Sequence, residues 1–404
     1  MGLAEPKKKK DFLKKIPGVY SATAPPFANP VTTIDDVSGS IERNLSFISE
    51  NFDDNEIALQ AKKITDYLHK CFPFTTKFVL LTDDGKAPTQ KSDTHALRKK
   101  GNVDEEITKR IIADAKNGTA ISRENIDNII PTIAKKKTPN ESKTGWAQFH
   151  ESRVFRNFAR DGVLLSLMDN VSAAKHIFTY YHGSLKSASE SVQVEPCVGE
   201  ADIKFGHIFV SEFFANDDLI ISSRDSDIPV IFFVVRQFIP RERQRHIFWY
   251  DGDGYYNLTR VADTYPNSVA LAIAFMQSGT DYILNSCIKN EEEAFLATYN
   301  AASSMNDFDA SRIAQILDVT VKKLPHKSQA PLSKTAQQLW WNLVYWRNCE
   351  NPSDEDQAHS INELGIGRKM LHLRATTEAQ DKSDEQGGRG EGDRTTPDHG
   401  AQND

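Results

Sequence analysis

The stretch Asp218-Leu-Ile-Ile-Ser-Ser-Arg-Asp-Ser-Asp-Ile-Pro-Val-Ile-Phe-Phe, residues 218 to 233, decides the predicted fold. Its apolar run from Leu219 to Ser222 lies between polar residues, which is typical of a parallel strand covered on both faces. In an open α/β sheet, ligands bind at the carboxyl ends of such strands. The sequence therefore predicts a ligand site just after Ser222.

Two carboxylates, Asp225 and Asp227, follow this strand. Side chains two positions apart point the same way in extended backbone, so we expect these carboxylates to lie together. Two like charges at close range are unfavourable unless a cation lies between them. The pair predicts a metal site, and the alternative is a polar loop with two solvated aspartates.

Two further predicted strands also end in acid. Val31-Thr-Thr-Ile-Asp-Asp36 is a β-branched run, and Lys77-Phe-Val-Leu-Leu-Thr-Asp-Asp84 is a hydrophobic run followed by carboxylates. Because three predicted strands end this way, loop composition is a poor explanation. We expect an acidic edge on an α/β sheet flanked by helices.

Three more acids extend the candidate set. Glu200 and Asp202 lie at the start of a predicted helix, where acid also suits the helix dipole. Asp281 follows Gly279 at the carboxyl end of a helix predicted over Val269 to Met276. A lone Asp at that end opposes the dipole and favours a nearby cation.

Periodicity and turn residues predict the remaining elements. Strands are expected at Val230 to Val235 and at His246 to Tyr250, with a hairpin turn at Asp251-Gly-Asp-Gly254. That turn lacks the further oxygen ligands of a calcium loop. Helical spacing covers residues 40 to 70, 146 to 187 and 290 to 350, and residues 101 to 145 read as helical pieces and loop.

Composition restricts the class of protein. The chain has 404 residues, 39% hydrophobic and 26% charged, as in ordinary globular proteins. It contains no apolar run long enough for a membrane span and no apolar segment typical of a secretory signal. Its four cysteines form no CxxC pair, which favours reduced thiols in an intracellular protein.

Net charge does not identify the partner. The chain carries −7, but residues 376 to 404 hold eight acids and three bases, so the rest carries −2. This acidic end has no apolar anchors, and residues 373 to 404 are predicted to be a disordered tail. Local basic patches must therefore indicate the partner.

Three basic clusters stand out. The run at residues 5 to 15 reads as a solvated, mobile terminus, a nuclear-localisation patch or a phosphate contact. Residues 86 to 100 hold five bases against one acid, and their alternatives are a phosphate-binding helix or a solvated charged one. A third cluster surrounds Arg241 and Arg243.

Taken in order, these motifs resemble the flap endonuclease family of structure-specific nucleases, which includes the xeroderma-type repair endonuclease and poxviral relatives. Asp36-Val-Ser-Gly-Ser-Ile is similar to its Asp-Ala-Ser-x-Ser-Ile, and Asp84-Gly-Lys-Ala-Pro-Thr-Gln-Lys to its Asp-Gly-Lys-Pro-Pro-x-x-Lys. Glu200-Ala-Asp202, Asp225-Ser-Asp227 and Gly279-Thr-Asp281-Tyr resemble its Glu-Ala-Glu, Asp-x-Asp and Gly-Cys-Asp-Tyr. The opening Met-Gly-Leu resembles its Met-Gly-Ile. The resemblance covers roughly residues 1 to 285.

The resemblance implies a PIN-like nuclease core over residues 1 to 285, with a helical arch insertion at about 86 to 187. A helical C-terminal region would follow at 286 to 372. The chain departs from the family after Asp281, where the family's helix-hairpin-helix run is missing, and at Glu42, where the family has a base-stacking tyrosine.

The same resemblance implies a nuclease that cuts branched, flapped or nicked DNA with two Mg²⁺ or Mn²⁺ ions. The implied metal ligands are Asp36, Asp84, Glu200, Asp202, Asp225, Asp227 and Asp281. Lys91 and Arg98 stand where the family keeps a catalytic Lys and Arg, and the expected nucleic-acid contacts are Lys86, Lys99, Lys100, Arg241 and Arg243. The alternatives are an RNA-cleaving relative and a weakly active nucleic-acid-binding scaffold. We expect a monomer without a membrane partner, with a nuclear location possible from the basic N-terminal run.

Overall fold

A computed structural model gives the fold of most of the chain. It describes residues 6–45, 50–82, 105–134, 141–169, 176–181, 184–187, 191–192, 201–239, 245–276, 291–305 and 312–316. Among these residues, no helix combines the length and apolar composition needed to span a bilayer.

The fold is built on a nine-stranded sheet in the order β1-β13-β12-β11-β2-β4-β8-β9-β10. The five central strands, from β12 to β8, are parallel, and an antiparallel pair extends each side. The strands of this sheet are β1 Tyr20–Ser21, β2 Val31–Asp36, β4 Lys77–Leu81, β8 His176–Tyr181, β9 Ser184–Lys186, β10 Ser191–Val192, β11 Asp218–Ser222, β12 Ile247–Tyr250 and β13 Tyr255–Asn257. Two small hairpin-like sheets pair β3 Asn51–Phe52 with β5 Ile121–Ser122, and β6 Ile133–Ala134 with β7 Ser142–Lys143.

Helices cover both faces of the sheet. The helices are α1 Pro6–Lys15, α2 Ser38–Leu45, α3 Asp54–Cys71, α4 Glu105–Lys116, α5 Arg123–Ile129, α6 Gly145–Glu151, α7 Arg153–Asp169, α8 Ala201–Val210, α9 Ile228–Val235, α10 Leu258–Thr264, α11 Ser268–Met276 and α12 Glu291–Ser303. One hydrophobic core packs helix α1 and helices α8 through α12 against one face of the sheet. A second core packs helices α2 through α7 against the other face. The prediction of an α/β fold with a mostly parallel central sheet is confirmed.

Successive side chains of the central strands point to opposite faces of the sheet, which explains the two hydrophobic cores. In β11, Leu219 and Ile221 pack into the first core and Ile220 into the second, and all three are fully buried. A strand with apolar side chains on both faces is stable only between two layers. The predicted strands at Leu219 to Ser222, at the start of the Val31 run and at the start of the Lys77 run are confirmed.

Two predicted elements are wrong. Residues Val230 to Val235 form helix α9 and not a strand, and every residue of α9 is buried. Pro229 lies in its first turn, where proline is well tolerated. The helix predicted over residues 146 to 187 is instead two helices, α6 and α7, the second of which ends at Asp169. Residues 176 to 181 form β8, which pairs with β4 in the central sheet. The range predicted as an arch insertion thus includes a sheet strand.

The basic N-terminal run is not a mobile terminus, because residues 6 to 15 form helix α1. Leu13 is fully buried, and the ring of Phe12 packs against Phe295 with a centroid distance of 4.1 Å. Lys10 forms an ion pair with Asp251, with 2.7 Å between Nζ and Oδ2. This part of the basic run therefore anchors the N-terminus to the body of the fold.

A buried histidine predicts acid sensitivity. Burial lowers the pKa of His207, in α8, to about 4. The unfolded chain binds a proton near pH 6.5, so between pH 6.5 and 4 only the unfolded state is protonated there. We expect the free energy of unfolding to fall by about 3 kcal/mol over this range because of this group. In urea titrations His207→Leu should show a flatter pH profile, and an unchanged profile would contradict the assignment.

Candidate functional site

The carboxyl ends of the parallel strands bring two predicted metal ligands into one cavity. Strands β2 and β11 are neighbours, with Asp35 opposite Ser222. Asp36, the last residue of β2, therefore lies level with the start of the loop that follows β11. Asp225 lies on that loop, and both aspartates line a cavity of about 580 Å³.

Backbone hydrogen bonds orient both carboxylates in the same manner. Asp36 Oδ1 accepts a hydrogen bond of 3.0 Å from the N–H of Ser38, at the start of α2. Asp225 Oδ1 accepts one of 2.8 Å from the N–H of Asp227, just before α9. In each case the side chain bonds the backbone two residues further on, a turn that Asp favours at helix starts. Each carboxylate is thus fixed at a junction between a sheet strand and a helix.

Asp227 does not share this arrangement. Its φ of −84° and ψ of −18° are helical, and it is 3% exposed at the start of α9. The expectation of an extended segment here is wrong, because the chain turns into the helix at Asp227. Asp227 does not line the cavity formed by the described residues.

Asp35 is a cavity residue that the sequence analysis missed. It lies between Leu80 and Ser222 in the sheet, and Ser222 in turn lies beside Tyr250. Burial raises the pKa of Asp35 to about 6, although a hydrogen bond with Ser222 opposes the rise. A signal was present in the sequence, since Asp35 is a charged residue inside an apolar strand pattern.

Replacing Asp35 is expected to stabilise the metal-free protein. The pKa of Asp35 is about 6 in the folded protein and 3.8 in the unfolded chain. The contribution of Asp35 to the free energy of unfolding therefore falls as the pH rises through this range. Asp35→Asn keeps an acceptor for Ser222 and removes the buried charge. In EDTA at pH 7.5 we expect the free energy of unfolding to rise by about 2 kcal/mol, with a smaller gain at pH 4.5. A variant less stable than the wild type at both pH values would contradict this.

A further acid, Asp251, lines the cavity, but its contacts stabilise the fold. Its Oδ1 accepts the N–H groups of Asp253 and Gly254 at 2.9 and 3.0 Å, and its Oδ2 pairs with Lys10. Burial raises the pKa of Asp251, but these bonds outweigh burial and hold it below its ordinary value. The predicted hairpin turn between β12 and β13 is confirmed, with Gly252 at φ 98°.

A buried lysine brings positive charge to the same edge. Lys204, in α8, is fully buried and donates a hydrogen bond of 2.6 Å to the carbonyl oxygen of Thr82, one residue beyond β4. Its Nζ also lies 5.2 Å from the centre of the Tyr180 ring. Such a cation offsets part of the negative charge at the carboxyl edge. The sequence signal was a single charge inside the apolar part of α8.

The acids at the opposite edge of the sheet are structural. Asp218 accepts hydrogen bonds from the N–H of Ala28 and from the N–H of His246, and Asp217 accepts from Thr32 and Lys77. These bonds connect the strands at their amino ends. The cavity-lining acids Asp35, Asp36 and Asp225 all lie at the carboxyl edge, where α/β sheets bind ligands.

The other predicted site residues cannot be placed in this geometry. Asp202 belongs to α8, but its side chain lies outside what the structure describes. The remaining ones all lie outside the described residues: Asp84, Glu200, Asp281, Lys91, Arg98, Lys86, Lys99, Lys100, Arg241 and Arg243.

The donor chemistry of the cavity fits a hard divalent cation. Asp36 and Asp225 supply carboxylate oxygens, which Mg²⁺ and Mn²⁺ prefer over softer ligands. Among the residues that the structure describes, no three Asp, Glu, His or Cys side chains form a group that could hold an ion. The described residues thus bring two of the predicted ligand carboxylates, Asp36 and Asp225, to one cavity.

The sequence matches no protein-family model and no curated protein. The functional assignment therefore depends on the cavity and on the motifs of the chain itself.

Proposed function

We propose that this protein is a divalent-metal-dependent nuclease that hydrolyses phosphodiester bonds in branched, flapped or nicked DNA. The observation that supports this most is the position of Asp36 and Asp225. They are far apart in the sequence, yet neighbouring parallel strands bring both to one cavity at the carboxyl edge of the sheet. Both residues belong to the acidic motifs that resemble the flap endonuclease family.

In this proposal Asp36 and Asp225 hold Mg²⁺ or Mn²⁺ together with Asp84, Glu200, Asp202, Asp227 and Asp281. When bound, two such ions would activate a water and neutralise charge on the phosphate. The chain's own contribution is orientation, because the Ser38 and Asp227 N–H groups fix the two carboxylates. Lys91 and Arg98 would stabilise charge that develops on the phosphate, and Lys86, Lys99, Lys100, Arg241 and Arg243 would contact the nucleic-acid backbone.

The finer fold assignment belongs to the same proposal. A PIN-like nuclease core would extend to residue 285, with an arch formed by part of residues 86 to 187 and a helical region after residue 285. Helices α4 to α7 lie in that range and pack on the face of the sheet that carries α2 and α3. A nuclear location and a monomeric state remain predictions.

A cleavage assay tests the proposal. Purified protein is incubated with a 5′-flapped DNA duplex, a nicked duplex and an RNA version of the flap, each with Mg²⁺ or with EDTA. We expect Mg²⁺-dependent cutting at the branch or nick. Stronger cutting of the RNA flap would favour the RNA-cleaving alternative. Salt-dependent binding without cleavage of any substrate would overturn the nuclease and favour a nucleic-acid-binding scaffold.

A further inference from the structure

Lys204 places a charged side chain in the interior of the protein, beside the carboxyl edge of the sheet. It belongs to the first turn of helix α8 and is fully buried. A buried ammonium group is unfavourable unless it is hydrogen-bonded or lies beside opposite charge. Apolar residues of similar volume often replace such buried charges without loss of stability. Packing alone therefore does not account for a lysine at this position.

The ammonium group of Lys204 bonds the end of a central strand. Its Nζ donates a hydrogen bond of 2.6 Å to the carbonyl oxygen of Thr82, a buried residue that directly follows β4. The Nζ atom also lies 5.2 Å from the centre of the Tyr180 ring, which belongs to the neighbouring strand β8. Lys204 thus connects helix α8 to the carboxyl ends of two parallel strands.

The end of β4 in turn supports Asp36. Leu81, the residue before Thr82, lies opposite Asp36 in the sheet. The carbonyl oxygen of Leu81 accepts a hydrogen bond of 3.0 Å from the N–H of Val37, the residue directly after Asp36. Two consecutive carbonyl groups at the end of β4 are therefore bonded, one to the segment that carries Asp36 and the other to Lys204. A shift of this strand end would displace the backbone that holds Asp36.

We propose that Lys204 is a positioning residue for the metal site, because it fixes the strand end that supports Asp36. The inference rests on the proposed function, since it takes Asp36 as a metal ligand. Without the ammonium group, the buried carbonyl oxygen of Thr82 loses a hydrogen bond, which favours movement of the strand end toward another donor. Removal of a group that orients a metal ligand indirectly typically weakens metal binding about tenfold to a hundredfold.

Manganese binding measures this role without any cleavage. A titration with Mn²⁺, in which electron paramagnetic resonance detects the free ion, gives a dissociation constant for each variant. Lys204→Met keeps the volume and the apolar stem of the side chain, and we expect it to raise the dissociation constant about tenfold. Lys204→Gln keeps an N–H donor for the carbonyl oxygen of Thr82 and should stay within about threefold of the wild type.

Two further substitutions separate positioning from a general loss of stability. Ile208→Ala removes another fully buried side chain of α8. It should lower the unfolding temperature but keep the dissociation constant within about twofold. Tyr180→Leu removes the ring beside the ammonium group and should raise the dissociation constant about threefold, whereas Tyr180→Phe should stay within about twofold. The two Tyr180 variants provide the test if Lys204→Met does not fold.

The outcomes distinguish this role from the proposed function. Unchanged manganese binding in Lys204→Met and Tyr180→Leu, or an equal loss in Ile208→Ala, would overturn the positioning role, and the nuclease would stand if the wild type cleaves. The expected changes in manganese binding without cleavage of any substrate would overturn the nuclease alone. A wild-type protein that binds no manganese would overturn both.

Discussion

Asp36→Asn and Asp225→Asn are each expected to reduce Mg²⁺-dependent cleavage of a flapped duplex on the order of a thousandfold. In the proposed metal centre, loss of one carboxylate would weaken metal binding and remove charge stabilisation worth several kcal/mol at the phosphate. Asn keeps an oxygen that can accept the N–H of Ser38 or of Asp227, so the fold should be retained. Initial rates at saturating Mg²⁺, with thermal unfolding as a folding check, would measure this effect.

The matched control is Asp253→Asn. Asp253 is an exposed acid on the turn beside the cavity and does not line it. We expect this variant to cleave at the wild-type rate, and the double variant of Asp36 and Asp225 to be little worse than either single one, because both would hold the same metal centre. Comparable activity in the wild type and in both single variants would contradict the assignment of these two residues.

Asp251→Ala is expected to lower the free energy of unfolding by about 4 kcal/mol. The Asp251 side chain is 1% exposed and pairs with Lys10 from α1, which also lies 5.5 Å from the centre of the Trp249 ring. The substitution leaves Lys10 without its partner and removes the Oδ1 atom that accepts the N–H groups of Asp253 and Gly254 in the β12–β13 turn. Urea denaturation at neutral pH measures the loss.

Asp253→Ala, in the same turn, is the comparison for stability and should change the free energy of unfolding by under about 0.5 kcal/mol. Lys10→Met tests the ion pair from its other side, since it keeps the apolar stem and removes the charge. A double-mutant cycle of Lys10 and Asp251 should give a coupling energy well above zero. Additive losses, or equal losses for Asp251→Ala and Asp253→Ala, would show that Asp251 does not hold α1 in place.

The sheet and part of the site were predictable because strand β11 and the acids around it follow simple rules. Apolar residues on both faces of β2 and β11 require helices on both sides, and parallel strands place their carboxyl ends on one edge. These rules alone bring Asp36 and Asp225 together. The sequence could not show that the chain turns into α9 directly after Asp225, so that the backbone of Asp227 is helical and not extended.

The predictions for α9 and α1 were wrong because tertiary contacts decide the structure of both segments. Residues 230 to 235 are uniformly apolar, so they have no period that separates a strand from a helix. Packing against α8 and α11 on all sides makes the helix stable. In α1, the apolar pair Phe12 and Leu13 was too short a signal beside so many lysines. Its partners Asp251 and Phe295 are distant in the sequence, and only tertiary structure brings them near.

The central claim is that acids at the carboxyl edge of the sheet hold catalytic metal ions. A crystal of the protein soaked in Mn²⁺ tests it most directly through the anomalous signal of manganese. We expect manganese in the cavity between the ends of β2 and β11, coordinated by Asp36 and Asp225, and its loss in crystals of Asp225→Asn. A cavity without manganese at saturating concentration, with Asp36 and Asp225 coordinating no ion, would contradict the claim.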